Sequence, residues 1–495
     1  MTARVPMDAL NAAQALGGVT RQWDEAIVPR LKEYIAVPAK SPSFDPDWAK
    51  NGYIDRVIRD AATWVESQKV EGLKLEVIQL AGRTPVLFFE VPASNGQHGH
   101  TPSAQTVLMY GHLDKQPEFS GWRNDLGPWT PAYEDGKLYG RGGADDGYAV
   151  YASVAAIQAL KAQGVAHPRI VGLIETCEES GSQDLLPYID QLRAPGHNRL
   201  GDVALVICLD SGAGNYDQLW LTSSLRGMAS GVLKVEILTE GVHSGDASGL
   251  VPSSFRIMRQ VLDRLEDSAT GRLLPASFHC DVPADRVAQA KATAAILGDE
   301  VYKRFPWAHY DCGGSTQFAL PTTTDPLQAL LNRTWSPTLS VTGAEGFPSL
   351  QNAGNVLRPY TAFKLSLRLP PLVDAGQAVQ QLKALLEDNA PYQAKVTFES
   401  GGGATGWNAP STAPWFEQAL NHASQAHFGA ACGYIGQGGT IPLMNMLSRG
   451  FPSAQMMVCG VLGPRSNAHG PNEFLHVPYA KKLTAAVAHV IAQLP

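Results

Sequence analysis

VLMYGHLD, residues 107–114, decides how the chain is read. Apolar Val107 to Tyr110 run into Gly111, and then His112 and Asp114 stand two positions apart. An uninterrupted apolar run suits a strand covered on both faces. In an extended backbone, residues i and i+2 point to the same side. His112 and Asp114 can therefore serve one point in space. A hydrogen-bonded pair at a strand end would read the same way, so the rest of the chain has to separate the two.

The pattern recurs. IVGLIETC leads to Glu178 and Glu179, VALVICL leads to Asp210, and AQMMVCGVLG leads through a loop to His469. In open α/β sheets, sites gather outside the carboxyl ends of strands. The stretch YGRGGADDGYAV adds Asp145 and Asp146 just ahead of a helical pattern, Tyr148 to Gln163, which reads as amphipathic and stops at Gly164. So many gathered carboxylates repel one another unless something neutralises them. A metal pair would do so. Imidazole and carboxylate without thiolate suit zinc, and also manganese or cobalt. Two metals about 3.5 Å apart that share a carboxylate and a water form a recurring hydrolytic design.

The remaining chain reads as soluble and globular. Its 495 residues exceed one ordinary core, so two domains, or one with a large insertion, are expected. A net charge of −7 and no Lys/Arg-rich run argue against nucleic acid or anionic lipid as a partner. No apolar stretch approaches the roughly 18 residues of a membrane span, and MTARVPMDALNAAQALGGVTRQWDEA lacks the apolar core of a leader. The cysteines 177, 208, 280, 312, 432 and 459 form no C-x-x-C pair. A cytoplasmic location is expected.

Up to residue 222 helical and strand-like segments alternate, as in an α/β domain with a mixed sheet flanked by helices. From GMASGVLKVEIL onward the order becomes strand, helix, strand, strand, helix, strand, that of a ferredoxin-like α+β sandwich. SGGGATGWNAPSTAP reads as a linker back to the α/β pattern. The expected division is 1–222 for the first part of a catalytic domain, 223–404 for an inserted domain, and 405–495 for the second part.

GHLD, GWRNDLGPWTPAYEDGKLYGRGGADDG, ETCEESGS, LDSG, GVHSGDASG, GQGGTIP and NAHGPNE, in that order, give a resemblance over nearly the whole chain. It resembles the dinuclear zinc metallopeptidase family that includes carnosinase, the cytosolic nonspecific dipeptidase, carboxypeptidase G and aminoacylase, and is most similar to the dipeptidase branch. The resemblance implies a zinc-peptidase α/β fold with an inserted α+β lid that dimerises. It implies two divalent ions, zinc or manganese, held by His112, Glu179, Asp210 and His469, with Asp145 as the bridging carboxylate and a cis Asp145–Asp146 bond. Asp114 becomes the residue that fixes the ring of His112. Glu178 becomes the general base that passes a proton from a metal-bridging hydroxide's parent water to the leaving amine.

The resemblance also implies that His243 reaches across a homodimer to the oxyanion and that Thr440 contacts substrate. It calls for an arginine on the substrate carboxylate, and Arg358 is the candidate, although the family order proline–arginine is reversed here as Arg358–Pro359. Arg368 is read as structural. Many members carry a lysine after the paired aspartates, where this chain has Gly147. The expected reaction is hydrolysis of the peptide bond in dipeptides or short peptides. An N-acyl-amino-acid amidohydrolase on the same metal site is the alternative.

Overall fold

The computed structural model describes residues 10–96 and 103–495. Residues 1–9, part of the stretch read above for a leader, lie outside them. The chain forms two compact units, one of Met1–Thr222, Ala409–Ile435 and Met446–Pro495, the other of Ser223–Asn408 and Gly436–Asn445. Residues 405–408 and 436–445 thus group with the second unit, whereas the sequence division put them in the first.

The first unit is built on a six-stranded sheet. Its order is Lys74–Ile78, Val86–Val91, Arg169–Glu175, Thr106–His112, Val203–Cys208, Gln455–Val458. The first two strands run antiparallel to their neighbours, and the others pair in parallel. Every residue of Thr106–His112 is buried, as its apolar run requires. The helix Ala149–Ala162 departs from expectation. It is covered on nearly all sides, because alanines let the Ala12–Gln22 and Val477–Ile491 helices close over the flank that an amphipathic helix would leave wet.

Two glycines set how closely the next segment approaches this sheet. A β-carbon on Gly111 would lie 2.5 Å from Ala149 Cβ and 2.8 Å from Asp146 Oδ2. The bare backbone at Gly111 therefore lets the 143–149 segment sit against the strand end. On Gly147, a β-carbon would lie 2.1 Å from the Tyr34 ring, whose hydroxyl donates to Leu113 O at 3.0 Å. With the ring so placed, position 147 leaves no room for a side chain.

The second unit carries a four-stranded antiparallel sheet, ordered Thr338–Glu345, Tyr360–Leu369, Gly227–Glu236, Lys395–Ala404. Strand Gly227–Glu236 alternates buried and part-exposed residues, so one face meets the core. Ile257, Met258 and Val261 of helix Ser254–Leu262 and Ala378, Leu382 and Leu386 of helix Ala375–Glu387 pack with Leu233, Leu365 and Phe398. Each large aliphatic side chain so buried contributes about 1.5–3 kcal/mol. The glycines read as the start of a linker instead extend the last strand to Ala404, with a bulge between Ser400 and Gly402. Among the described residues, no helix is long and apolar enough to cross a membrane.

Candidate metal centre

The parallel strands deliver their acids at one end. His112 is the last residue of its strand, Asp210 follows Val203–Cys208, and Glu178 and Glu179 lie in a short turn beyond Arg169–Glu175. That turn, Glu178–Ser180, is helical rather than extended, so the neighbouring acids diverge. Asp145 sits in the tight turn Gly143–Gly147, and its bond to Asp146 is cis.

Two groups of donors converge there. His112, Asp145 and Asp210 form one, and Asp145, Glu179 and His469 the other, so Asp145 belongs to both. His112 Nε2 lies 3.4 Å from Asp145 Oδ1 and 3.9 Å from Asp210 Oδ2. It is buried and no hydrogen-bond partner satisfies it. His469 Nε2 lies 3.0 Å from Asp145 Oδ2 and 3.3 Å from Glu179 Oε2. A buried imidazole nitrogen without a partner, aimed between carboxylates, fits a divalent cation.

The charges show the same strain. Burial opposes the Asp145 charge, yet the neighbouring imidazoles of His112 and His469 hold its carboxyl well below the usual range. Burial pushes Glu178 up to about 7, helped by Asp114 and Asp145 against the pull of His112. Burial and Asp145 raise Glu179, and burial and Glu178 raise Asp210, both well above ordinary carboxylates. Burial would lower His469, but Asp145 and Glu179 carry it up to about 9. Among the described residues, nothing bonds to the Glu178 carboxylate. A free carboxyl poised near neutrality is what a proton carrier needs.

Asp114 does more than its expected task. Its Oδ1 lies 3.4 Å from His112 Nδ1, and its backbone oxygen is nearer, at 3.1 Å. The two carboxylate oxygens accept the backbone N–H groups of Glu178 at 3.1 Å and Glu179 at 3.0 Å. One aspartate therefore sets both the histidine and the turn that bears the two acids.

Arg141 went unnoticed in the sequence, and Glu473 stood out there only for its spacing from His476. Arg141 Nη2 donates to the carbonyls of His469 at 3.1 Å and Gly470 at 2.9 Å, and its Nη1 reaches Glu473. Glu473 also accepts Gly142 N–H at 3.0 Å. The only signal was an arginine flanked by glycines in YGRGG. The Glu473-x-x-His476 pair, a spacing known from carboxylate-bridged iron sites, holds no metal group: His476 Nδ1 accepts Tyr479 N–H at 3.2 Å and caps a helix.

The family model for "Peptidase family M20/M25/M40" matches residues 108–493. The chain belongs to that family. It is an enzyme, a peptidase, and the M20 family's curated members include named metallodipeptidases. Among them, the cysteinylglycine-S-conjugate dipeptidase of Corynebacterium striatum is 27% identical over 435 residues, covering 85% of this chain and 88% of that one. The human Beta-Ala-His dipeptidase is 26% identical over 452 residues, covering 85% and 81%. The crystal structure of human carnosine dipeptidase 1 superposes with a TM-score of 0.75 at 23% identity, over 98% of this chain and 99% of that one. The yeast (Saccharomyces cerevisiae) Dug1p structure follows at 0.74 and 22%, again over 98% and 99%. These structures share the M20 fold of a mixed sheet with flanking helices.

The remaining candidates lie in the second unit. His243 is exposed, and its Nδ1 accepts Gly245 N–H at 3.1 Å. Arg358 Nε donates to Gly346 O at 2.8 Å. Thr440 Oγ1 accepts from Arg368 Nη1 at 3.1 Å and donates to Arg226 O at 2.5 Å. Arg368 was read as structural, yet it is the arginine that meets Thr440.

Proposed function

We propose that this M20 peptidase is a dinuclear metallodipeptidase, with zinc, or else manganese, as its metal. The observation that carries this is the pair of donor groups sharing Asp145 beside an unengaged Glu178. His112, Asp145 and Asp210 would hold one ion, and Asp145, Glu179 and His469 the other. When bound, such a pair supplies Lewis acidity to the scissile carbonyl and to the attacking water. Glu178 takes the water's proton and returns it to the leaving amine. Asp114 orients His112 and the Glu178–Glu179 backbone. Curated relatives named as dipeptidases for Cys-Gly conjugates and for Beta-Ala-His support short peptides as substrates.

For the substrate carboxylate, the bond between Thr440 and Arg368 favours that arginine over Arg358, whose Nε is engaged by a carbonyl. His243 is proposed to serve the oxyanion of a partner copy in a homodimer. All the cysteines are free, in keeping with a reducing, cytoplasmic setting. The test is a metal-titrated screen of dipeptides beside N-acetyl amino acids. Turnover of dipeptides is expected; turnover of acyl substrates alone would make the chain a deacylase instead.

A further inference from the structure

The second unit gathers positive charge that no acid answers. Arg226 Nε donates to Gly438 O and its Nη1 to Thr338 Oγ1, each at 3.2 Å. Arg333, on helix Pro326–Trp335, comes to the same glycine. A β-carbon on Gly438 would lie 3.1 Å from Arg226 Nη2 and 3.6 Å from Arg333 Cγ. The next residue, Gly439, borders open space.

Among the described residues, the Arg333 guanidinium has neither a hydrogen bond nor an ion pair, and its Nε is buried. Burial, then the nearby charges of Arg304 and Arg226, push Arg333 down to about 9. Burial and Arg368 push Arg226 down to about 10. No carboxylate figures among the groups acting on Arg226, Arg304, Arg333 or Arg368.

Like charges held together away from water destabilise a fold unless an opposite charge is supplied. One substrate carboxylate, taken by Arg368 and Thr440, would leave the Arg226–Arg333 side uncompensated. Guanidinium forks match planar carboxylates and phosphates by paired hydrogen bonds. We infer that Arg226 and Arg333, which meet beside Gly438, form a separate oxyanion site for a ligand carrying a carboxylate, phosphate or sulfate group. The oxyanion comes either from an acidic side chain of the substrate or from a free anion.

Calorimetric titration of sulfate into the full chain tests the site without turnover. Wild type is expected to bind one equivalent, and Arg333→Met to weaken binding by about tenfold or more. Arg333→Met should melt no lower than wild type in chloride buffer, since it removes an uncompensated charge. Arg304→Ala, which removes a charge acting on Arg333, should weaken sulfate in the same direction. Equal sulfate binding by wild type and Arg333→Met, or none by wild type at millimolar sulfate, overturns the site.

A second arm, which rests on the dipeptidase reading, compares Ala-Glu with Ala-Gln. A preference for Ala-Glu that disappears in Arg333→Met assigns the oxyanion to the substrate. Lost sulfate binding with an unmoved Ala-Glu/Ala-Gln ratio assigns it to a free anion. Protein that binds sulfate but cleaves no dipeptide of the screen would sink the dipeptidase reading and leave the site standing.

Discussion

Arg141 Nη1 lies 2.6 Å from Glu473 Oε2, and this buried pair ties together the two loops that present Asp145 and His469. The His469 loop needs such a tie. Arg465, Asn467, His469 and Asn472 all have positive φ, a conformation that non-glycine residues keep only when surroundings impose it. Arg141 imposes it through the carbonyls of His469 and Gly470. Arg141→Lys and Glu473→Gln should each lower metal affinity about 10–100-fold, the usual effect of removing an outer partner of a ligand. Metal content after dialysis against a weak chelator measures this. Wild-type retention in both variants would show that the loop holds itself.

Asp114→Asn should lower both activity and stability. The amide can keep one of the two N–H bonds from Glu178 and Glu179, but its NH₂ end faces the other donor. A fall in kcat of about tenfold or more is expected, with a stability loss of about 1–3 kcal/mol. Denaturant melts and kinetics on the same preparation would check it; an unchanged kcat would remove Asp114 from the positioning of Glu178.

Glu178→Gln should keep both ions and lose about 10²–10⁴ in kcat, the range of general acid–base catalysis. Metal analysis beside turnover distinguishes a proton carrier from a ligand, because loss of an ion would place Glu178 among the ligands.

If His243 serves a partner copy, mixing His243→Ala with Glu178→Ala protein should restore activity. With free subunit exchange, half the dimers are mixed and each has one complete centre, giving about a quarter of wild-type activity. No recovery after demonstrated exchange would place His243 outside the reaction.

Acid should weaken the first unit through His427. Burial, with His489, His422 and Lys482 nearby, lowers its pKa from 6.5 to about 4. Its folded pKa lies below the unfolded value, so the unfolded chain binds more protons between them. Stability is therefore full above pH 6.5 and declines as pH falls towards 4. His427→Gln should flatten that decline in melting experiments. An equal acid sensitivity in the variant would assign it to other groups.

Strand ends were legible in the sequence because a buried parallel strand has to be apolar throughout, and the polar residue that breaks the run marks where the chain emerges. VLMYG and VALVICL show this plainly. Helix Ala149–Ala162 was misread as amphipathic because alanine tolerates either surface, and only the packing around it decides. The glycine-rich continuation of strand Lys395–Ala404 was hidden for a related reason: glycine has no side chain to show a period of two. Arg141 escaped because its partners are mostly backbone carbonyls, which every residue possesses. Arg368 and Thr440 are far apart in sequence, and no local pattern announces their bond.

Asp145 meets His469 only when a long further stretch of chain has been made. A ribosome releases Asp145, Glu179 and Asp210 long before it reaches the histidine that draws the second group together. Until then the growing chain holds a crowd of acids with one imidazole among them. The second group thus closes only after its acids have long been made, and a full-length His469→Ala chain should fold its sheet yet fail to retain the second ion.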